Sequence, residues 1–563
     1  MAPQLRIDLP LTSREHAARY RAQGLWKDKT LHEYFAAAAA RLPDKVAIVE
    51  GARMFTYGEL ARLIDNVAGN LLDLGLQSGD IVALQTKNSS VMPIVHLACN
   101  RIGLLYMPLH DSWRETEVRH LLERSRARVV ILPVEYRGFD HAAMIAAVRG
   151  NLPDLQHVYT LDGIGPDMRE FTELLRPTRR SKAEIDQQRP DPDAPAHTML
   201  SGGTTALSKI SRFTSNDLMA MLDNFTDAIE LTENDIGAAL APAGTGATGY
   251  VYPILVPLLH GATSVILERW GSNNVPEAVQ LILDQKCTFG VGIPTQLTLM
   301  IPALEKHRPE EFSHFRVFSN SGAPLPYDTA QKIEKLMSCV IQSLYGATDG
   351  GTSNMTSIRD PQDKRLRTVG RVVRGCELQL WDPEGKPVAG GKDNKGGEAG
   401  EVVWRSADKC WGYLGDDEQT ARAFTRDHFY KSGDLGQFDA DGYLRITGRV
   451  KDMILRGGRN ISPLTIEQQL IKHPAVLDVA VTSMPDPVLG ERACAFVMLK
   501  TGAKLGFEEA VEYLKSQHLA IWQLPERLEI IDDFPRGPGG KVLKSKLTEL
   551  VTIKLRAEGK VPG

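Results

Sequence analysis

The sequence predicts an α/β fold with a large first domain and a smaller second one. Short apolar runs alternate with amphipathic helical segments over most of the chain, a rhythm typical of parallel strands covered by helices on both faces. At 563 residues the chain is too long for a single hydrophobic core. The last hundred or so residues have the pattern of a small α+β domain. We therefore place one domain at residues 1–449 and the other at 450–563.

The first two helices are predicted by their capping signals. Residues 30–33 and 56–59 both read Thr-x-x-Glu, the spacing at which two side chains bond the first backbone N–H groups of a helix. The alanine-rich residues 35–42 follow the first signal. Apolar residues at helical spacing follow the second signal until Gly75, which stops the helix.

The remaining elements follow from apolar runs and helical periodicity. In the first domain we expect buried strands at 81–84, 129–132, 264–267 and 289–292, and helices at 94–102, 115–125, 216–230 and 276–285. Residues 177–195 and 384–401 are predicted as exposed connections, because proline, glycine and charged residues dominate them. In the second domain we expect strands at 476–481, 494–499 and 528–531, and helices beginning at 462–463 and spanning 507–518.

Composition excludes several classes of partner. The net charge is −4, from 66 basic and 70 acidic residues, so no overall field attracts nucleic acid or an anionic membrane. The chain contains no run of about 18 apolar residues, the length of a membrane span, and its first residues have no apolar signal core. The six cysteines are scattered without metal-ligand spacing, which indicates reduced thiols. We expect a cytoplasmic protein.

The most informative stretch is residues 199–209, which we interpret as a phosphate cradle. Glycines allow consecutive backbone N–H groups to face an anion, hydroxyls add donors, and a lysine adds positive charge. The residues concerned are Ser201, Gly202, Gly203, Thr204, Thr205 and Lys209. The spacing is not that of a Walker motif, whose lysine directly follows the second glycine. An ordinary surface loop is the alternative interpretation.

Two further stretches carry groups suited to a nucleotide. Residues 320–324 follow a predicted strand and form a tight turn that could present backbone groups to a flat ligand. Residues 343–350 contain Tyr345, which could stack on a purine, and Asp349, whose carboxylate suits Mg²⁺. An edge strand and turn would explain the second stretch equally well.

Three stretches near the domain boundary and the C-terminus complete the set. Asp434 lies at a glycine-flanked turn and could accept the hydroxyls of a ribose, with Arg449 as a donor downstream. Residues 456–463 are basic and rich in glycine, and Lys541 lies on a glycine-rich turn. Taken alone, these last two stretches could be solvated surface turns.

Together these stretches resemble the acyl-adenylate-forming superfamily, which includes acyl-CoA synthetases, adenylation domains of peptide synthetases and luciferases. The cradle, the Tyr-x-Ser-Gly-Asp segment at 430–434 and the turn before Lys541 match its signatures in the same order. Residues 345–349 match the Tyr-Gly-x-Thr-Glu signature except that Asp349 replaces glutamate. The resemblance implies a large N-terminal domain of two αβ-sheet lobes plus a smaller β-sheet subdomain, and a small, mobile α+β C-terminal domain.

The resemblance also implies roles for individual residues. Lys541, Thr204 and Arg449 would be catalytic, and Asp349 would contact the metal. Lys451 would be the hinge between the domains, and Arg456, Gly457 and Gly458 would form the loop that enters the site during thioester formation. The residues implied to bind ATP or AMP are Ser201, Gly202, Gly203, Thr204, Thr205, Lys209, Gly322, Ala323, Pro324, Tyr345, Gly346, Ala347, Thr348, Asp434, Ile446 and Arg449.

The activity implied by the resemblance is that of an AMP-forming carboxylate–CoA ligase using ATP, Mg²⁺ and CoA, as a monomer or homodimer. The alternative is a stand-alone enzyme that loads an aryl acid, such as 2,3-dihydroxybenzoate or salicylate, onto the phosphopantetheine of a carrier protein. Residues 200–205 and 20–22 are similar to those enzymes. A ligand-binding relative without activity is a third possibility, which the retained Lys541, Asp434 and Arg449 disfavour.

Residues 241–250 correspond to the stretch that lines the acyl pocket in related enzymes. Our candidates there are Thr245, Gly246 and Tyr250. Small residues dominate, and the His-Asn or His-aromatic pair of aryl-acid enzymes is missing, so a buried ring hydroxyl would lack partners. We expect an alicyclic acid such as cyclohexanecarboxylate, or benzoate, or a medium-chain acid. Close packing of a helix on a strand would also explain the small residues.

Overall fold

The structure is a computed structural model that describes residues 12–201, 208–242, 244, 246–536 and 542–561, with the side chain of Ser201 left out. Two large sheets with their helices and a smaller four-stranded sheet form the N-terminal part. A five-stranded sheet with helices forms the C-terminal part. The predicted α/β fold, with two αβ-sheet lobes, a β-sheet subdomain and a small α+β C-terminal domain, is confirmed.

The strands, numbered along the chain, are β1 (Val46–Glu50), β2 (Arg53–Thr56), β3 (Ile81–Gln85), β4 (Leu105–Leu109), β5 (Val129–Pro133), β6 (Glu135–Tyr136), β7 (Phe139–Asp140), β8 (His157–Leu161), β9 (Arg169–Glu170), β10 (Pro195–Ser201), β11 (Lys209–Thr214), β12 (Ile236–Ala239), β13 (Thr263–Ile266), β14 (Phe289–Gly292), β15 (Val317–Asn320), β16 (Val340–Ala347), β17 (Gly351–Met355), β18 (Arg371–Val372), β19 (Cys376–Trp381), β20 (Gly400–Ser406), β21 (Tyr430–Phe438), β22 (Leu444–Arg449), β23 (Ile454–Arg456), β24 (Arg459–Ile461), β25 (Val476–Asp486), β26 (Gly490–Leu499) and β27 (Arg527–Ile530).

The helices are α1 (Arg14–Ala22), α2 (Leu31–Arg41), α3 (Tyr57–Leu72), α4 (Val91–Arg101), α5 (Glu115–Ser125), α6 (His141–Arg149), α7 (Thr172–Leu175), α8 (Lys182–Asp186), α9 (Ser215–Ile229), α10 (Val256–His260), α11 (Val275–Asp284), α12 (Pro294–Leu304), α13 (Tyr327–Met337), α14 (Gln362–Arg367), α15 (Asp417–Ala423), α16 (Pro463–Leu470), α17 (Phe507–Ser516) and α18 (Lys544–Ala557). Within the described residues, none of them is long and apolar enough to cross a membrane.

The two large sheets are mixed rather than wholly parallel, which corrects the sequence prediction. The first sheet has the order β18-β17-β16-β15-β14-β12-β13-β1-β2, and the second has the order β11-β10-β4-β3-β5-β8-β9. The central strands of both are parallel. The chain reverses at the edges, so that β2, β17 and β18 in the first sheet and β11 in the second pair antiparallel.

The helices between and outside the two sheets cover strands that are buried on both faces. In β3, Val82 and Leu84 join the core shared with α3, α4 and α9, whereas Ile81 and Ala83 join the opposite core against α5 and α6. This alternation follows from the period of two in a strand. It explains why β3 appears in the sequence as a continuous apolar run.

The local predictions agree with the structure where the signal is short-range. Both capping boxes form, with reciprocal bonds between Thr30 and Glu33 and between Thr56 and Glu59. Most predicted helices and strands begin and end within about three residues of the observed ones, but β25 continues to Asp486 and β26 begins earlier, at Gly490. The connection at 177–195 contains the short helix α8, and β4 and β8 were not predicted. All six cysteines lie within the described residues and are free thiols.

The C-terminal part has its own core. Its sheet has the order β24-β23-β26-β25, with β27 beside β26. Helices α16 and α17 cover one face through Ile466 and Leu514, and α18 covers the other through Leu547 and Val551. At the boundary with the N-terminal part, β22 ends at Arg449 and a single 3₁₀ turn, Val450–Asp452, follows.

Candidate active site

The predicted phosphate cradle connects the two strands of an antiparallel hairpin at the edge of the second sheet. β10 ends at Ser201, β11 begins at Lys209, and these two residues are paired across the hairpin. Four of the predicted cradle residues, Gly202, Gly203, Thr204 and Thr205, lie outside the described residues. The hairpin therefore places the lysine at the base of the predicted loop.

A network of hydroxyls joins the cradle lysine to the predicted metal ligand. The Lys209 Nζ donates to the Tyr413 hydroxyl at 2.9 Å and lies 4.1 Å from the centre of that ring. The Tyr413 hydroxyl donates to Asp349 Oδ2 at 2.7 Å, and Ser211 Oγ donates to Oδ1 at 2.6 Å. Burial, followed by the charge of Asp349, raises the pKa of Tyr413, so its hydroxyl keeps the proton that it donates. The ammonium and the carboxylate are thus held 3.8 Å apart at Oδ2.

The Asp349 carboxylate is compatible with a magnesium ion. Each oxygen accepts one hydroxyl and can accept another partner, and hard oxygen ligands are those that Mg²⁺ prefers. Among the described residues, no three His, Cys, Asp or Glu side chains form a metal-binding group. A single carboxylate fits an ion whose other ligands are phosphate oxygens and water, the usual arrangement for Mg²⁺ bound with a nucleotide.

Asp434 is the centre of a second cluster, formed between the first sheet and the four-stranded sheet. It faces Arg449 directly across the β21–β22 pair. Its Oδ1 accepts from Arg449 Nε at 2.5 Å and its Oδ2 accepts from the Tyr345 hydroxyl at 2.8 Å. Three residues predicted from separate stretches therefore meet at one carboxylate.

The electrostatics of this cluster follow from its burial. Burial, followed by the charge of Asp434, raises the pKa of Tyr345 well above its usual range. Burial lowers the pKa of Arg449, but the Asp434 carboxylate raises it by more, so the guanidinium stays charged. Ile446 and Tyr345 are both half-buried and pack against the core of the four-stranded sheet. The cluster combines a fixed charge pair with an apolar wall.

The turn after β15 lies at the same edge of the first sheet. Asn320 pairs with Ser343 in the parallel register of β15 and β16, so Gly322 and Tyr345 each lie two residues beyond that pair. Gly322 has φ of 84°, a backbone conformation that favours glycine. Gly322, Ala323 and Pro324 are exposed, with the Ala323 carbonyl accepting from Asn320 Nδ2. Ligands of open α/β sheets bind at this carboxyl edge.

The acyl segment, residues 241–250, enters a π-helical segment, Ala247–Leu255. Gly246 precedes it with φ of 72° and ψ of −130°. Tyr250 is buried, and its hydroxyl lies 2.9 Å from Nδ1 of His96. The rings of Tyr106 and His197 pack against the same pair. Thr245 lies outside the described residues, so the predicted role of this segment remains a prediction.

The residues predicted to act in thioester formation lie around the domain boundary. Lys451 is exposed in the 3₁₀ turn Val450–Asp452. Gly457 and Gly458, with φ of 54° and 80°, form the turn of the β23–β24 hairpin. Arg456 is not freely solvated, because its Nε donates to Glu526 at 2.7 Å. Lys541 lies outside the described residues, next to Val542, which pairs with Arg536.

Sequence reasoning missed Ser211 and Tyr413. Neither belongs to a stretch singled out by glycines or charge, and they are brought together by an isolated antiparallel bridge between residues 211 and 413. Tyr413 and Asp349 are 64 positions apart. A contact of that range has no signal in a single sequence.

Comparison with known proteins agrees with this geometry. The family model described as AMP-binding enzyme matches residues 35–414, and the model of the AMP-binding enzyme C-terminal domain matches residues 465–541. A medium-chain fatty-acid–CoA ligase from Escherichia coli (strain K12) is 31% identical over 98% of this chain and 95% of its own length. A 2,3-dihydroxybenzoate-AMP ligase from Bacillus subtilis (strain 168) is 29% identical over 96% and 97%. The crystal structure of ATP-bound MatB from Rhodopseudomonas palustris superposes with a TM-score of 0.81 at 27% identity, covering 93% of this chain and 99% of that one.

Proposed function

The chain belongs to the AMP-binding enzyme family and adenylates a carboxylic acid with ATP, and from this premise we propose that it then transfers the acyl group to the thiol of CoA. The observation that carries the proposal is the full-length similarity to a CoA ligase, which extends through the C-terminal domain. The proposed domains are residues 1–449 for acid activation and 450–563 for the part that moves between the two steps.

The first step makes a poor electrophile reactive. The carboxylate attacks the α-phosphorus of ATP, a mixed anhydride with AMP forms, and pyrophosphate leaves. Both reactants are anions, so the protein must align them and offset their repulsion. We assign this to the Lys541 ammonium at the carboxylate and α-phosphate, and to Thr204 and Lys209 of the cradle at the phosphates. Mg²⁺, held by Asp349, would supply further positive charge.

The nucleotide is proposed to lie along the carboxyl edge of the first sheet. Tyr345, with Gly346, Ala347 and Thr348 after it, would hold the adenine, together with the backbone of residues 322–324 and the side chain of Ile446. Asp434 would accept the ribose hydroxyls. The Arg449 guanidinium, held beside that carboxylate, would donate to ribose or phosphate oxygens.

The second step needs a different arrangement, because one site cannot hold both the lysine turn and the long thiol arm of CoA. We propose that the C-terminal domain rotates about Lys451, withdrawing Lys541 and bringing in the turn of Arg456, Gly457 and Gly458. The short 3₁₀ turn at the boundary supports this proposal, since a few residues there can absorb the change in φ and ψ.

The proposed acid is alicyclic, aromatic or of medium chain length, with Thr245, Gly246 and Tyr250 at its pocket. The alternative, loading of an aryl acid onto a carrier protein, is favoured by the similarity to a 2,3-dihydroxybenzoate-AMP ligase, which is nearly as high as that to the CoA ligase. The two candidates differ in both the acid and the thiol.

The test is AMP release from ATP with cyclohexanecarboxylate, benzoate, hexanoate and 2,3-dihydroxybenzoate, each with and without CoA. We expect CoA to accelerate AMP release with one of the first three acids and an acyl-CoA thioester to accumulate in proportion. A clear preference for the dihydroxylated acid, with no effect of CoA, would contradict the proposal and favour the carrier-loading alternative.

A further inference from the structure

One histidine lies between the cradle and the acyl segment without belonging to either. His110 directly follows β4 and is 7% exposed. Strands β10 and β4 are parallel, with His197 beside Tyr106. Continuing this register four residues along both strands brings His110 level with Ser201, where the cradle begins. This register therefore places His110 near the start of the predicted cradle.

The same histidine packs against the acyl segment. A Cβ built on Gly244 would lie 2.7 Å from the Cα and 3.0 Å from the Cδ2 of His110. The glycine backbone therefore contacts the edge of the imidazole that carries Nε2. A larger residue at position 244 would displace the ring, so the glycine makes room for it.

The hydrogen bonds of His110 involve Nδ1 and leave Nε2 available as a donor. The Ser112 backbone N–H donates to Nδ1 at 3.1 Å, and Ser112 Oγ lies 2.8 Å from the same nitrogen. With Nδ1 as the acceptor, the hydrogen of the neutral ring lies on Nε2. Asp111 Oδ1 is also 3.0 Å from Nδ1, but the Ser112 N–H is directed at this nitrogen and identifies it as the acceptor.

That donor is buried and has no hydrogen-bond partner among the described residues. Buried N–H groups in proteins are almost always paired, so an unpaired one beside a binding site indicates a ligand or an ordered water. The partner must be an acceptor. Because Gly244 of the acyl segment lies against this ring, the acceptor that we assign is the carboxylate of the acid.

We propose that the Nε2–H of His110 binds the carboxylate of the acid and aims its free oxygen at the α-phosphorus of ATP. The donor compensates the carboxylate for lost hydration without adding a hydroxyl-specific contact. The carboxylate is already ionised at neutral pH, so His110 transfers no proton. This inference rests on the acid activation of the proposed function but not on the choice of thiol.

The test compares His110→Phe and His110→Gln in ATP/pyrophosphate exchange with the four acids named above. We expect His110→Phe to raise the KM for every acid that the wild-type protein uses by about tenfold or more, the loss of one hydrogen bond to a charged group. The KM for ATP should stay within about twofold, since the residues proposed to hold the phosphates are Thr204, Lys209 and Lys541. His110→Gln keeps an N–H donor, so its KM for the acid should lie between those of the wild-type protein and His110→Phe.

A matched control is His314→Gln, which replaces a half-buried histidine whose ring bonds the Cys287 carbonyl near the amino end of β15. It should leave both KM values unchanged. Binding without turnover is measured by titrating benzoate into protein saturated with α,β-methylene-ATP, which cannot release pyrophosphate. We expect His110→Phe to weaken this binding by the same factor. Thermal unfolding of each variant checks that it folds. If His110→Phe does not fold, the comparison is made with His110→Gln and the wild-type protein.

Three results would overturn the role of His110. These are an unchanged KM for the acid in His110→Phe, a rise confined to 2,3-dihydroxybenzoate, and an equal rise in the KM for ATP. Failure of the proposed function is distinguishable from all three, because the wild-type protein itself would then give no exchange with any of the four acids.

Discussion

Replacing Asp434 by alanine tests the nucleotide site most directly. Its carboxylate accepts from Arg449 and Tyr345 at 2.5 and 2.8 Å, which would orient it for the two ribose hydroxyls that we propose it binds. Hydrogen bonds to a charged group contribute about 1.5–3 kcal/mol. At about 1.4 kcal/mol for each factor of ten, the KM for ATP should rise by about 10- to 150-fold. The assay is ATP/pyrophosphate exchange at saturating acid.

The effect on stability should be much smaller than the effect on nucleotide binding. The Arg449 side chain is 42% exposed and can turn to water when its partner is lost, so we expect a destabilisation of about 1 kcal/mol or less. The matched control is Asp235→Ala, whose buried carboxylate pairs with Arg316 at the amino end of β12. It should lower the unfolding midpoint without changing the KM for ATP. A near-normal KM in Asp434→Ala, or an equal rise in the control, would refute the reasoning.

Three other predictions test separate parts of the site. Lys541→Ala should nearly abolish adenylate formation yet leave thioester formation from a preformed acyl-adenylate largely intact; equal loss of both, measured separately, would contradict its role. Tyr413→Phe removes the hydroxyl between Lys209 and Asp349 and should raise the Mg²⁺ concentration required for exchange about three- to tenfold, the effect of one hydrogen bond; an unchanged requirement would exclude that function. Burial lowers the pKa of His197 to about 3. The unfolded chain therefore binds a proton below pH 6.5 that the folded chain does not. His197 alone should lower the free energy of unfolding by about 1.4 kcal/mol per pH unit between pH 6 and 5. In urea denaturation over the same interval, His197→Gln should lose that much less than the wild-type protein; identical losses would contradict this prediction.

The elements that could be predicted are those whose cause is local. Thr30 with Glu33 satisfies the first N–H groups of α2 within one turn, and the apolar run at 81–84 is buried because its strand has helices on both faces. The parallel sheets were predicted less well. Their antiparallel edges depend on how the chain reverses after β1, β10 and β16, which local periodicity does not encode.

The site shows the same division at the level of single residues. The Asp434 and Asp349 stretches were identified because their residue types suit a ribose and a metal ion. The bonding partners of Asp349, Ser211 and Tyr413, were not identified, and neither was His110, since each lies in a segment of ordinary composition. The acyl segment was identified in the sequence as a stretch of small residues. Its π-helical course and the burial of Tyr250 beside His96 come from packing between the sheets.

The sequence by itself determined the fold class, the family resemblance and the stretches that carry chemistry, because helix caps, apolar periodicity and glycine-rich loops act over a few residues. Only the tertiary structure decided which side chains meet. Asp349 lies between β16 and β17 of the first sheet, and Ser211 lies in β11 of the second. Asp434 and Arg449 face each other on the four-stranded sheet. Their contacts depend on strand register and on how three sheets pack, and these are set by the whole chain rather than by any segment of it.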